Sequence, residues 1–274
     1  LERHGIGMDE AGARMRPLSD MGQSTSRGVG VVFSDLDDTL TTKGKLTDEG
    51  YSAIWRLSRA GVGVVIVTGR PAGWADCIMR LWPIAAVIGE NGACIYRLDA
   101  GGRAVRWYAQ DEGRRRADRE ALDRVGRDLL REFPGLRLAA DQAFRETDLA
   151  IDICEEADGL GEETMLGIRR FLESRGLTYK LSSIHVNAWL GSHDKASTCR
   201  RYIGEVLGVE PGTGRHLFIG DSPNDEPLFH AFPLSVGVRN IERFAGILEH
   251  PPRYVTRGEG SQGFVELADH ILAR

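Results

Sequence analysis

The stretch Val31-Val32-Phe33-Ser34-Asp35-Leu36-Asp37-Asp38-Thr39-Leu40 sets an apolar run of strand type directly against three carboxylates and a threonine. Two carboxylates brought about 4 Å apart repel by roughly 4 kcal/mol at an effective dielectric of 20. Asp35 and Asp37 therefore need a positive charge beside them, and a hard divalent cation with oxygen ligands, Mg²⁺ foremost, is the simplest one. Standing alone, a D-x-D-x-T segment reads as a strand running into an acidic turn or a helix cap. What decides between the two is the company the segment keeps.

Three further groups sit at comparable places. Thr68-Gly69-Arg70-Pro71 closes the apolar run 62–67, and Gly220-Asp221-Ser222-Pro223-Asn224-Asp225 closes the run 216–219. Asp194-Lys195 opens a helical stretch. Taken singly each is weak, and Lys195 alone reads as a solvated surface lysine. Their common position at the ends of core elements gives them weight.

Those elements follow a recognisable rhythm. Residues 47–59 read as a helix capped by Thr47 or Asp48, with Tyr51, Ile54, Trp55 and Ser58 spaced for one face. The continuous apolar strand that follows is the mark of a parallel sheet covered on both sides. A helix at 72–81, a strand at 85–88 and the turn Gly89-Glu90-Asn91-Gly92 complete β-α-β-α-β, the unit of a doubly wound α/β domain.

The pattern then changes. Hairpin strands at 94–96 and 104–108 precede a charged helix at 111–132, whose inner face is Leu122, Val125, Leu129 and Phe133. Strands at 136–140 and 148–154, a helix at 162–174 and strands at 178–182 and 184–190 follow. In 148–154, Leu149, Ile151 and Ile153 alternate with Asp148, Ala150 and Asp152, so one face is expected to be wet. The order α-β-β-α-β-β indicates a small α+β unit with an antiparallel sheet. The α/β rhythm resumes at Ser192 and runs to the last helix at 263–272. The fold class is thus a doubly wound, Rossmann-like parallel-sheet core, residues 29–96 and 191–274, with an α+β cap, residues 97–190, inserted near the carboxyl ends of its strands. Ligands bind open α/β sheets at that end, where an insertion acts as a lid.

Composition narrows the choices. The 274 residues, 42% of them hydrophobic, suffice for a full core, and 35 Lys and Arg against 40 Asp and Glu leave a net charge of −5. Neither nucleic acid nor an anionic membrane is indicated as a partner, since each calls for a basic face. The longest apolar run is far too short to span a bilayer. Cys77, Cys94, Cys154 and Cys199 are scattered without a C-x-x-C pair, so buried thiols and a reducing cytoplasm are expected. Residues 1–28 show no periodicity and no signal-peptide h-region, and read as a poorly ordered extension.

Asp35-Leu36-Asp37-Asp38-Thr39, Val67-Thr68-Gly69-Arg70, Asp194-Lys195 and Gly220-Asp221-Ser222-Pro223-Asn224-Asp225 together resemble the four ordered motifs of the haloacid dehalogenase superfamily. The resemblance covers residues 29–272. The cap resembles subfamily IIB, which holds the Cof-type sugar phosphatases and the sucrose-phosphate, trehalose-phosphate and mannosyl-3-phosphoglycerate phosphatases. It implies that Asp35 is a nucleophile forming an aspartyl-phosphate and that Asp37 is the general acid and then the base. Thr68, Gly69 and Lys195 would hold the phosphoryl group. Asp35, the Asp37 carbonyl and Asp221 would bind Mg²⁺, with Asn224 and Asp225 ligating or orienting it from the layer behind. Phosphoryl transfer needs these parts: a nucleophile, charge neutralisation and a proton for the leaving group.

Other residues carry two readings. Arg70 reaches a substrate phosphate or bridges core and cap. Asn91 is either a substrate contact, matching a recurrent Glu-Asn-Gly motif of the subfamily, or a turn residue tolerating left-handed geometry. His185 and Asn187 alternate on the last cap strand, pointing at substrate or serving structure. Arg114, Arg115 and Arg116 read as a solvated helix face, and Glu155 and Glu156 as a strand end in solvent. The leading expectation is a Mg²⁺-dependent phosphatase of a small phosphorylated metabolite, a sugar phosphate or glycosyl-phosphoglycerate. The alternatives are a phosphomannomutase-like mutase and a non-catalytic metabolite-phosphate sensor; oligomeric state is left open.

Overall fold

The computed structural model describes residues 15–157, 159–182, 184–210 and 215–273. In chain order the elements are β1 (Arg16–Pro17), α1 (Gln23–Arg27), β2 (Val31–Ser34), β3 (Thr41–Thr42), β4 (Lys45–Leu46), α2 (Asp48–Arg59), β5 (Gly63–Val67), α3 (Ala72–Leu81) and β6 (Ala86–Gly89). Then come β7 (Cys94–Leu98), β8 (Ala104–Tyr108), α4 (Glu112–Glu132), β9 (Arg137–Leu138), β10 (Asp148–Asp152), α5 (Glu162–Ser174), β11 (Thr178–Leu181) and β12 (His185–Trp189). The chain finishes with α6 (Lys195–Arg201), β13 (His216–Gly220), α7 (Glu226–Ala231), β14 (Leu234–Gly237), β15 (Tyr254–Val255) and α8 (Gly260–Leu272).

One nine-stranded sheet runs in the order β1-β15-β14-β13-β2-β5-β6-β7-β8, parallel through β6 and antiparallel beyond it. Its strands are apolar on both faces because both are covered. Val32, Val64 and Ile66 enter the layer made with Ile54, Leu57, Ala75 and Phe264, whereas Phe33, Val65 and Val67 enter the layer made with Tyr202, Leu228 and Phe232. The α/β core expected from the sequence is therefore present, and its central strand is the one that carries Asp35.

A second sheet, β11-β12-β10-β9, is antiparallel. Helices α4 and α5 cover one of its faces, packing Leu122, Leu129, Ile168 and Leu172 on Leu149, Ile151, Val186 and Ala188. The opposite face is not wet. Asp148, Ala150 and Asp152 are all buried, because that face is turned onto the core domain rather than to solvent.

Other expectations are revised by packing. The β7–β8 hairpin extends the core sheet, so the chain leaves that sheet after Tyr108 rather than at residue 97. The buried stripe of α2 is Gly50, Ala53, Ile54 and Leu57, one position off the expected set, and Trp55 is 39% exposed. All four cysteines are free, but Cys77 and Cys154 are exposed. Residues 1–14 lie outside the described residues. Residues 15–28, read from sequence as a loose extension, are built into the core: β1 pairs with β15, Leu18 and Met21 are buried, and the Met21 carbonyl lies 2.8 Å from His270 Nε2. No helix among the described residues is long and apolar enough to cross a membrane.

If this segment is part of the core, Leu18→Ala should lower the unfolding free energy by about 2–4 kcal/mol in a urea titration. A loss near zero would make it a surface appendage.

Candidate active site

Strand register explains how distant motifs meet. Ser34 pairs with Ile219 on one side and Ile66 on the other, so the residues just beyond these strands emerge side by side at one edge of the sheet. Asp35, Thr68 and Asp221 are those residues. The Asp35 amide donates to the Ile219 carbonyl at 3.0 Å, which extends the pairing into the motif itself.

Lys195 arrives from the covering layer. Asp194 caps α6 by accepting from the Ser197 amide at 2.6 Å, and Ser197 returns the bond to the Asp194 amide, a reciprocal capping box. This sets Lys195 at the first helical position, where the helix dipole disfavours a cation. A second device holds α6 in place: Glu90, Asn91 and Gly92 all have positive φ, and a Cβ on Gly92 would lie 2.2 Å from the Asp194 carbonyl oxygen. Only glycine permits that approach. Thr198 Oγ1 donates to the Gly92 carbonyl at 2.7 Å and fixes it.

The lysine compensates a cluster of carboxylates. Its Nζ donates to Asp35 Oδ1 at 2.7 Å and to Asp225 Oδ1 at 3.1 Å. Oxygens of Asp35, Asp221 and Asp225 lie within 4.8 Å of one another. Thr39 Oγ1 donates to Asp221 Oδ1 at 3.3 Å, and the Asp221 amide to Asp225 Oδ2 at 3.1 Å. Three buried carboxylates against one cation leave the cluster short of positive charge. Burial, partly opposed by Lys195, pushes Asp35 up to about 8; burial, reinforced by Asp225 and Asp35, pushes Asp221 up to about 9. The same neighbours hold the Lys195 ammonium above its ordinary value against burial. An all-oxygen donor set with unmet negative charge fits a hard divalent cation.

Asp37 is placed differently. Its carboxylate is outside that cluster and is clasped by Arg70, with Nε 3.1 Å from Oδ2 and Nη2 3.0 Å from Oδ1. Arg70 Nη1 reaches into the cap, to Glu155 at 2.9 Å and Asp141 at 3.4 Å. Arg70 thus bridges core and cap while also lining the cleft. Glu155 is not a solvated strand end, since its other oxygen meets His185 Nε2 at 2.8 Å. Burial lowers the His185 pKa, which favours the neutral ring.

Asp35, Asp37, Thr68, Gly69, Arg70, Asn91, Lys195, Asp221 and Asn224 line one cleft with His185 and Asn187 of the cap, and only about 40 Å³ of it is free. Thr68 Oγ1 accepts from the Arg70 amide at 3.0 Å. Asn91 has φ 55°, as a turn residue should, yet it also faces the cleft, and its buried amide nitrogen has no partner. Its backbone is that of a turn residue and its side chain borders the cleft.

Arg145 gave no sequence signal, and the partners of Asn187 and Glu90 gave none either. Arg145 is wholly buried, bonded to Asp141 at 2.9 Å, to Asp148 at 3.0 Å and to the Gly69 carbonyl at 2.9 Å. Asn187 Nδ2 donates to Asp148 at 2.9 Å. Glu90 is buried and accepts from the amides of Ala72, Glu146 and Thr147 and from the Thr147 hydroxyl, tying core to cap. Burial nonetheless pushes its pKa up to about 7. These partners are set by tertiary contacts between segments that no local spacing connects.

Comparison with known proteins agrees with this arrangement. Residues 32–111 match the family model of haloacid dehalogenase-like hydrolases, a span holding Asp35, Asp37 and Thr68-Gly69. Over those residues the chain is similar to that family. It is 23% identical over 246 residues to a phosphoglycolate phosphatase of Methanobrevibacter smithii, covering 89% of this chain and 99% of the relative. Among solved structures, a Thermoplasma acidophilum protein superposes with TM-score 0.68 at 20% identity, covering 89% and 98% of the two chains. The Synechocystis sucrose-phosphatase superposes with TM-score 0.60 at 19% identity, covering 88% and 97%. These structural likenesses are ones of fold.

The raised carboxylates give a signed prediction. The folded protein keeps protons that the unfolded chain releases, so without metal the cluster's contribution to stability falls as pH rises toward about 8 to 9. In a chelator, the urea midpoint should drop between about pH 6 and about pH 9, Asp221→Asn should flatten the drop, and Mg²⁺ should offset it. An Asp221→Asn slope equal to the parent's would locate the strain elsewhere.

Proposed function

We propose that the protein is a Mg²⁺-dependent phosphatase of small phosphorylated metabolites, working through an aspartyl-phosphate on Asp35. The observation that carries this reading is the carboxylate cluster around Lys195, set beside Thr68-Gly69 at the ends of three adjacent parallel strands. Asp35, Asp221 and the Asp37 carbonyl would hold the cation, with Asp225 and Asn224 behind them. When bound, it supplies charge neutralisation for the phosphoryl oxygens and allows Asp35 to stay ionised.

The chain's own groups do the rest. Thr68, the Gly69 amide and Lys195 seat the phosphoryl group, and an Asp35 oxygen attacks phosphorus while the bond to the leaving oxygen breaks. Asp37 gives its proton to that oxygen. It then takes a proton from water, which attacks phosphorus and releases phosphate from Asp35. Arg70, holding Asp37 on one side and Glu155 of the cap on the other, couples the orientation of the acid to closure of the lid. With so little free space, entry requires the cap to lift, which disfavours phosphoproteins and bulky esters as substrates. A phosphomannomutase-like mutase would use the same residues and return the phosphoryl group to substrate, and dependence of turnover on a bisphosphate activator would distinguish it.

With Mg²⁺, the protein should hydrolyse p-nitrophenyl phosphate, and chelation should abolish turnover. Asp35→Asn should lower kcat by about 10³-fold or more, while Asp37→Asn should accumulate acid-stable-to-hydrolysis phosphoprotein detectable by mass. Turnover by Asp35→Asn at the parent rate would remove the nucleophile from this scheme.

A further inference from the structure

The cleft does not end at Lys195. Beyond it lies a second cavity of about 100 Å³, lined by Lys180 and Trp189 of the cap and by Leu228 and the helix-capping Asp194 of the core. Asn91, Lys195 and Asn224 line both spaces, so the two adjoin.

Register accounts for Lys180. It pairs with Asn187 across β11 and β12, and Asn187 pairs with Ala150 across β12 and β10. Residues paired in this way share a sheet face, and Asn187 lines the catalytic cleft. Other ionised groups at this seam are already engaged: Arg145 with Asp141 and Asp148, Glu155 with Arg70 and His185, Asp152 with the amides of residues 154–156, and Asp194, on the cavity wall, with the Ser197 amide. Lys180 makes no ion pair among the described residues. Beside it, Trp189 is 1% exposed and its indole N–H has no acceptor. A buried donor left unsatisfied costs about 1–3 kcal/mol, so an acceptor belongs there.

We propose that this second cavity is a carboxylate subsite, in which Lys180 and the Trp189 indole N–H hold an acid group on the leaving alcohol while the phosphoryl group sits at Asp35. The inference rests on the phosphatase reading above and names its substrate class: phosphate monoesters of small hydroxy acids. The size agrees, since about 100 Å³ is the share of some three water molecules, enough for a carboxylate and its carbon but not for a second sugar ring.

The test compares kcat/KM for phosphoglycolate with that for ethyl phosphate, a neutral ester of similar size, using the 274-residue protein with Mg²⁺. The parent should favour the carboxylated ester. Lys180→Met should reduce the ratio of the two values by about tenfold or more, chiefly through KM for phosphoglycolate, and Lys180→Arg should retain most of it. Lys180 is exposed on a strand edge, so neither change threatens folding. A parent without preference for the carboxylated ester, or a Lys180→Met ratio within about twofold of the parent's, would overturn the subsite. Failure of the phosphatase reading is separately visible as absent p-nitrophenyl phosphate turnover in the parent.

Discussion

Three carboxylates crowd around one ammonium group at the carboxyl edge of a buried sheet, and most of the architecture serves to make that arrangement tolerable. At an effective dielectric of 20, each close carboxylate pair costs a few kcal/mol. Lys195 offsets part of this through its bonds to Asp35 and Asp225, and Thr39 and the Asp221 amide offset a little more. The remainder shows as carboxyl groups that resist ionisation. A site in that condition is poised for a divalent cation, because binding it converts a standing repulsion into attraction.

The cap solves a related problem with the opposite sign of compensation. Its sheet carries Asp148 and Asp152 on the face turned to the core, where exposed water cannot solvate them. Buried charge persists only when paired or hydrogen-bonded. Arg145 pairs Asp148, three amides of the following turn satisfy Asp152, and Arg70 comes from the core to meet Glu155 and Asp141. Arg70 also holds Asp37, so one side chain both joins the cap to the core and fixes the Asp37 carboxylate.

Much of the site was legible because strand ends are local events. An apolar run that stops at Asp35, Thr68 or Asp221 declares both the strand and the group it delivers, and parallel register then brings neighbours together. Lys195 was legible through its Asp194 cap. What escaped notice depends on non-local contact. Asp148 and Asp152 alternate with apolar residues just as a wet face would, and nothing in β10 itself says that another domain covers it. Leu18 and Met21 have no periodic neighbours, since they plug the end of a core built by α8 and β15. The α2 stripe moved by one residue because α8 packs over Gly50 and Leu57, leaving Trp55 outside.

The turn Glu90-Asn91-Gly92 shows why the core and the cap cannot be understood separately. Its left-handed backbone is costly for Glu and Asn, by about 1–3 kcal/mol per residue. That strain has three returns. Gly92 lets the Lys195 helix approach, Glu90 accepts backbone donors from both α3 and the cap, and Asn91 faces the cleft with an unmet amide. Relaxing the turn would withdraw the lysine from the carboxylates and the cap from the core at once. Backbone strain here is therefore an anchoring device: it joins the charge balance of the carboxylate cluster to the position of the cap, so that the cleft is complete only when cap and core are docked.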